Sequence, residues 1–388
     1  ARDALPVVHV VGTNGKGSVC ACLESLALTH GGTVGVFTSP HFLTLRERIR
    51  INGRLLSESE WTELANAVMQ AVHECGATYF EVVTLIATLA FARAGLGLVV
   101  LEAGLGGTHD ATCVFDPLLT VLTPVGLDHQ SVLGPDLVCI ARDKAGAVRG
   151  VPVICAPQDP EAAGVIVEAA NRTGSEVVHL ASVCRDRKSG RRFVFLGLEL
   201  DLAARDFGLP GAFQQDNAML ALAAWVRFRA LQGLPVDREA CLQGVKRAVH
   251  PGRLQQVRRS GYPCFLLDGA HNIMAMTALQ QALFDLKVTP SAVIFSCMQD
   301  KNPAGLVDCV RSFGSGPIIV PGIMGNERAC DPAELAELVG ERGEPAGDMA
   351  AALERVRLLP GTVLICGSLF LLAEFYRIHP EALFWNLS

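Results

Sequence analysis

A glycine-rich turn carrying one lysine, Gly12-Thr13-Asn14-Gly15-Lys16-Gly17-Ser18, follows the apolar, mostly β-branched run Val7-Val8-His9-Val10-Val11. Those residue types in that order suit the binding of a nucleotide phosphate. The strand fixes the turn, the glycines let backbone N–H groups approach phosphate oxygens, and a helix starting there adds partial positive charge. Lys16 adds a full charge, and the Ser18 hydroxyl suits the magnesium ion that accompanies ATP. The spacing departs from the commonest phosphate-loop pattern in two places. Val10 stands at its first glycine, and Gly17 stands where Ser or Thr usually follows the lysine.

Such a loop needs a sheet to hold it. Short apolar runs at 7–11, 34–38, 98–101, 119–123 and 151–156 alternate with helical patterns at 19–30, 58–74, 84–94 and 135–148. That alternation predicts a mostly parallel sheet with helices on both faces. Residues 176–202 turn β-rich, with strands expected at 176–180, 192–195 and 198–202, and the basic cluster from Arg185 to Arg192 reads as a solvated hairpin tip. An alanine-rich helix is expected over 217–231. After His250-Pro251-Gly252-Arg253 a second α/β series begins, with strands expected at 264–267, 292–296, 317–320 and 362–366. The expected fold is therefore α/β in two domains. An ATP-binding, P-loop-like unit spans 1–256 and a smaller Rossmann-like unit spans 257–388, the junction falling in the polar stretch 254–262.

Composition narrows the function classes. Half of the 388 residues are apolar, 19% are charged and the net charge is −6, which leaves no electrostatic footprint for nucleic acid. The thirteen cysteines contain no C-x-x-C pair, so neither a zinc site nor a disulfide framework is expected, and buried thiols in a reducing cytoplasm fit instead. Arg2 and Asp3 precede a strand rather than the apolar core of a signal peptide. The longest apolar segment, 82–94, is interrupted by Thr84, Thr88 and Arg93 and is too short to span a bilayer.

In open α/β sheets functional groups collect at the carboxyl ends of strands. Three such ends carry Ser39-Pro40-His41, Glu102 with Asp110 beyond it, and Asp128-His129. A hydroxyl, a carboxylate and an imidazole beside a phosphate loop can complete the coordination of Mg²⁺, the imidazole being the unusual ligand for that ion.

These motifs together resemble the folylpolyglutamate synthase and dihydrofolate synthase family, related to the Mur ligases. The resemblance rests on GTNGKGS (12–18), TSPH (38–41), RERI (46–49), TYFE (78–81), LEAGLGG (101–107), DAT (110–112), LDH (127–129) and DKAG (143–146). It continues in HPGR (250–253), LDGAHN (267–272), DK (300–301) and ICGS (365–368), and so covers nearly the whole chain in order. It implies a bacterial, bifunctional-type ligase that adds L-glutamate to a folate or pteroate carboxylate through an acyl phosphate, using ATP and Mg²⁺, as a cytoplasmic monomer.

Carried over position by position, the resemblance implies that Gly12 through Ser18, Asn217, Arg253 and Asp268 contact ATP, with Lys16 on the β- and γ-phosphates. Ser39, Glu102 and His129 match the metal ligands, and Lys144 matches a lysine carried as a carbamate. Thr78 and Asp110 match positions contacting the pterin, and His271 and Ser368 match positions near the incoming glutamate. Lys16, Lys144, Asp268 and His271 are thus the expected catalytic set. Two departures bear on substrate rather than reaction type. The family carries a helical segment ahead of the loop strand, where this chain has six residues, and Cys113 stands where asparagine often follows DAT. The competing readings are a Mur-type ligase acting on a UDP-sugar peptide and a non-catalytic ATP-binding homologue.

Overall fold

The computed structural model describes residues 5–187 and 190–383. Arg2 and Asp3 lie outside the described residues, as does the tip of the basic hairpin at Lys188 and Ser189. The first sheet comprises β1 (Val7–Val11), β2 (Val34–Phe37), β3 (Ile49–Ile51), β4 (Arg54–Leu55), β5 (Leu98–Glu102), β6 (Leu119–Leu122), β7 (Val153–Cys155) and β8 (Val177–His179). Its spatial order is β4-β3-β2-β5-β1-β6-β7-β8, parallel except at one edge, where β3 pairs antiparallel with both β2 and β4. β1, β2, β5, β6 and β7 are buried along their whole length, which is why they read as unbroken apolar runs. β1 lies between β5 and β6, so the chain leaves it toward one half of the sheet and returns to the other, and the crevice of a doubly wound fold opens there.

The hairpin sheet β9 (Cys184–Arg187), β10 (Gly190–Phe195) and β11 (Leu198–Leu202) is antiparallel throughout. Helices Lys16–Thr29 and Ala212–Leu231 share the largest core cluster with β1, β5, β6 and β11. Within that core Glu24 of the first helix accepts a bidentate ion pair from Arg50 of β3, both side chains being buried.

The second sheet contains β12 (Gln255–Val257), β13 (Cys264–Leu267), β14 (Ala292–Phe295), β15 (Ile318–Pro321), β16 (Gly343–Ala346) and β17 (Thr362–Cys366), in the order β12-β13-β17-β14-β15-β16. Only β12 runs antiparallel to its neighbour. The stretch expected to be a polar junction thus contains an edge strand, and a cut after residue 256 falls inside it. We propose that the division lies in the turn of residues 248–254.

Several boundaries move for local reasons. The helix expected at 84 begins at Tyr79, because Thr78 and Glu81 form a reciprocal capping box. The helix expected over 135–148 divides into Gln130–Leu133 and Leu137–Ala145, since Asp136 caps a new N-terminus by accepting from the Cys139 N–H. No helix among the described residues is long and apolar enough to cross a membrane.

Candidate active site at the domain junction

The loop between β1 and helix Lys16–Thr29 is clipped to the exit of β6. Thr13 and Asn14 N–H both donate to the Pro124 carbonyl, and the Thr13 hydroxyl exchanges hydrogen bonds with the backbone of Gly126. Glycine is required at two points. Gly12 has φ 149°, and a Cβ there would sit 1.9 Å from Thr123 Oγ1; Gly15 has φ 89°, and its Cβ would sit 2.4 Å from Asn217 Oδ1. Gly17 is constrained by its neighbour, since a Cβ would come 2.6 Å from Nε2 of the half-buried His250. That contact explains the missing Ser or Thr after the lysine. Lys16 Nζ lies 3.1 Å from the Gly12 and Thr13 carbonyl oxygens, and Lys144 Nζ donates to the same Gly12 carbonyl at 3.0 Å.

Around this loop a cleft of about 1060 Å³ separates the two sheets, and every residue expected at the site lines it. The first domain contributes Gly12 through Ser18, Ser39, Thr78, Glu102, Asp110, His129, Lys144 and Asn217, and the second contributes Arg253, Asp268, His271 and Ser368. The strand ends after β1, β5 and β6 therefore meet those after β13 and β17.

The donor set fits a bound divalent cation. Ser18 Oγ is buried without a hydrogen-bond partner. Burial raises the Glu102 carboxyl above its ordinary range while the Lys16 cation and the Ser39 N–H (3.0 Å to Oε2) oppose it, so an added cation would hold the ionised form. Burial pushes His129 down to about 4, which keeps the imidazole neutral as a metal requires. Among the described residues no three or more His, Cys, Asp or Glu side chains gather into a metal cluster. Lys144 is buried, and burial together with the Lys16 cation lowers its ammonium to about 7. A free amine is the form that can react with carbon dioxide to give a carbamate.

Other expected residues carry structural duties as well. Asp268 is buried; its two oxygens accept from the Leu254 and Ala270 N–H groups, tying the domain junction to the loop after β13. Burial raises its carboxyl, and Arg253 opposes that shift. Asn217 donates to Gln214 Oε1 at 3.1 Å. Ser368 caps helix Leu369–Ile378 by accepting from the Phe370 N–H. Thr78 is exposed, with its hydroxyl committed to the Glu81 capping box. Cys113 points its thiol at the Gly107 carbonyl, 2.6 Å away.

Sequence reasoning assigned no role to Asp128, Asn272 or Lys301. Asp128 is buried beside His129 and is gripped from the second domain by Lys301 Nζ, by Asn272 Nδ2 at 3.0 Å, and by His271 Nε2 at 3.6 Å. Burial opposes ionisation of Asp128, but the nearby His271 imidazole and the Lys301 cation outweigh it and hold the carboxyl far below its usual range. Asn272 also exchanges two 3.0 Å hydrogen bonds with Asn14 of the phosphate loop. The motifs LDH, DGAHN and DK contain all three residues, but only the fold brings them together.

Comparison with known proteins places the fold in a family. A family model for the Mur ligase, glutamate ligase domain, matches residues 252–369. The dihydrofolate synthase/folylpolyglutamate synthase of Bacillus subtilis is 36% identical over 76% of this chain and 71% of its own length. The structure of Escherichia coli FolC in complex with DHPP and ADP superposes with a TM-score of 0.86 at 32% identity, covering 97% of this chain and 90% of that one. The bifunctional folylpolyglutamate synthase/dihydrofolate synthase of Yersinia pestis, complexed with AMPPNP and Mn ion, gives 0.85 at 30% identity over 97% of this chain and 89% of that one. With identities of 30% or more over most of each relative, this chain belongs to the folylpolyglutamate synthase/dihydrofolate synthase family.

Proposed function

We propose that this protein adds L-glutamate to the carboxylate of a folate-type acceptor, extending tetrahydrofolate, converting dihydropteroate to dihydrofolate, or both. As a family member it is an ATP-dependent acid–amino-acid ligase. The observation that carries the acceptor and residue assignments is the convergence of all the expected side chains on one cleft between the two domains.

Bound ATP and Mg²⁺ supply the γ-phosphoryl group that turns the acceptor carboxylate, a poor electrophile, into an acyl phosphate, and the charge that stabilises its transfer. Lys16 and the backbone amides of residues 12–18 hold the phosphates, with Asn217, Arg253 and Asp268 around the nucleotide. Ser39, Glu102 and His129 hold the metal, with the unpartnered Ser18 hydroxyl beside them. Lys144, as a carbamate, presents an anion where an ammonium would repel the metal. Thr78 and Asp110 face the pterin, and His271 and Ser368 face glutamate. Closing the cleft holds the glutamate amine against the activated carboxylate, an arrangement that can supply roughly 7–11 kcal/mol of the barrier, and keeps water from the labile intermediate. The protein works as a cytoplasmic monomer on small-molecule partners.

The test is ADP release by purified protein with Mg-ATP, with and without L-glutamate, on dihydropteroate, tetrahydrofolate and a UDP-muramyl peptide. Glutamate-dependent turnover with either pterin supports the proposal and assigns the acceptor. Turnover on the muramyl peptide alone, or none despite ATP binding, overturns it.

A further inference from the structure

A histidine in the middle of an otherwise apolar, fully buried strand needs a reason. His9 is 3% exposed in β1, between Leu101 of β5 and Thr120 of β6, and it does not line the cleft. Its Nε2 lies 2.8 Å from Thr112 Oγ1, and that hydroxyl lies 2.5 Å from Asp110 Oδ1. Asp110 does line the cleft, 9% exposed.

The directions of these hydrogen bonds follow from the groups. An ionised carboxylate only accepts, so the single Thr112 proton goes to Asp110 and His9 must carry its proton on Nε2 to donate to Thr112. Burial pushes His9 down to about 4, keeping it neutral with one ring proton. Asp110 Oδ1 accepts from the Thr112 N–H (2.9 Å) as well as its hydroxyl, which fills both lone pairs, while Oδ2 accepts from the Leu105 N–H at 2.8 Å. One acceptor position, on Oδ2, remains for the cleft.

We propose that His9 is a positioning residue for the acceptor: through Thr112 it fixes the Asp110 carboxylate so that the free Oδ2 lone pair meets an N–H donor of the pterin-type ring. The inference rests on the reading of Asp110 as an acceptor contact. A central strand shared with the phosphate loop thus sets the acceptor's seat and the phosphate site from one rigid element.

The test compares H9L, H9Q, T112V and D110A in steady-state kinetics with tetrahydrofolate or dihydropteroate, beside thermal melts. H9L and T112V are expected to raise the acceptor KM on the order of tenfold, the size of one charge-assisted hydrogen bond. The KM for ATP and kcat at saturating acceptor should stay within about twofold of wild type, as expected of uniform binding loss. H9Q, which retains an N–H donor, is expected to recover part of the loss, and the H9L/T112V double variant should cost no more than either single one. An unchanged acceptor KM in H9L, or equal rises in the KM for ATP and for the acceptor, overturns the relay. If D110A leaves the acceptor KM untouched, the reading of Asp110 fails instead. Should H9L fold poorly, T112V and D110A carry the same comparison without altering the strand.

Discussion

At the scale of single residues, the site is governed by how much charge the protein buries before any ligand arrives. Lys16 and Lys144 converge on one carbonyl, that of Gly12. If Lys16 holds the transferred phosphoryl group as proposed, Lys16→Ala should lower kcat by at least about a hundredfold; near-normal kcat would refute the loop assignment. Lys144→Ala should be inactive yet regain measurable turnover in formate or acetate, because a small carboxylate can stand in for the carbamate, and indifference to both acids would count against the modification. Buried imidazoles make a separate, acid-range prediction. Burial pushes His9, His41 and His129 down to about 4 in the folded protein, from an ordinary value of 6.5. Between those values the unfolded chain binds more protons, so stability is complete above pH 6.5 and is lost as pH falls toward 4. His9 alone accounts for roughly 3 kcal/mol of that loss. Urea unfolding of His9→Leu across pH 4–7 should show a correspondingly flatter dependence, and a slope equal to wild type would disprove it.

At the scale of elements, the phosphate loop works because β1 is locked on both sides and helix Lys16–Thr29 starts within the loop. The capping box at Thr78 fixes the start of helix Tyr79–Ala94, whose Phe80 packs so closely that a Cβ on Gly104 would sit 2.5 Å from its ring. Thr78→Ala should cost about 1 kcal/mol in urea denaturation and Thr78→Ser much less; equal effects would mean that the cap is not what the threonine supplies. The elements were legible in the sequence where one physical signal dominated. Parallel strands such as β5 and β6 announced themselves as apolar runs, and the strand–loop–helix of the phosphate site as spaced glycines. β12 and β16 were not legible. Gln255-Gln256-Val257 and Gly343-Glu344-Pro345-Ala346 have little strand propensity and are strands because they pair along a neighbour at the edge of a sheet. For the same reason the candidate side chains of each motif could be named from the sequence, but the Asp128–Asn272–Lys301 contact could not. Its members are 144 and 173 positions apart from Asp128, and only tertiary packing joins them.

At the scale of the whole molecule, Asp128 is one point where the two domains hold each other. Lys301 and Asp128 are both buried, and removing one member of a buried pair leaves the other uncompensated, typically at about 3–5 kcal/mol. Asp128→Asn should therefore shift the protein toward an open arrangement, seen as a larger radius of gyration in solution scattering. Asp128→Asn combined with Lys301→Met, which leaves no orphan charge, should recover compactness in part. An unchanged radius in Asp128→Asn would show that the pair does not hold the cleft shut. The contact of Gly17 with His250 has a bearing beyond the loop itself. His250 immediately precedes the Pro251-Gly252-Arg253 turn that leads into the second domain, so the nucleotide loop and that turn meet at a spacing too small to admit a methyl group at position 17. Installing the commoner serine at 17 would force the His250 ring aside. The glycine that follows Lys16 is thus a tolerance machined into a joint, since any side chain there would press the nucleotide loop against the start of the second domain.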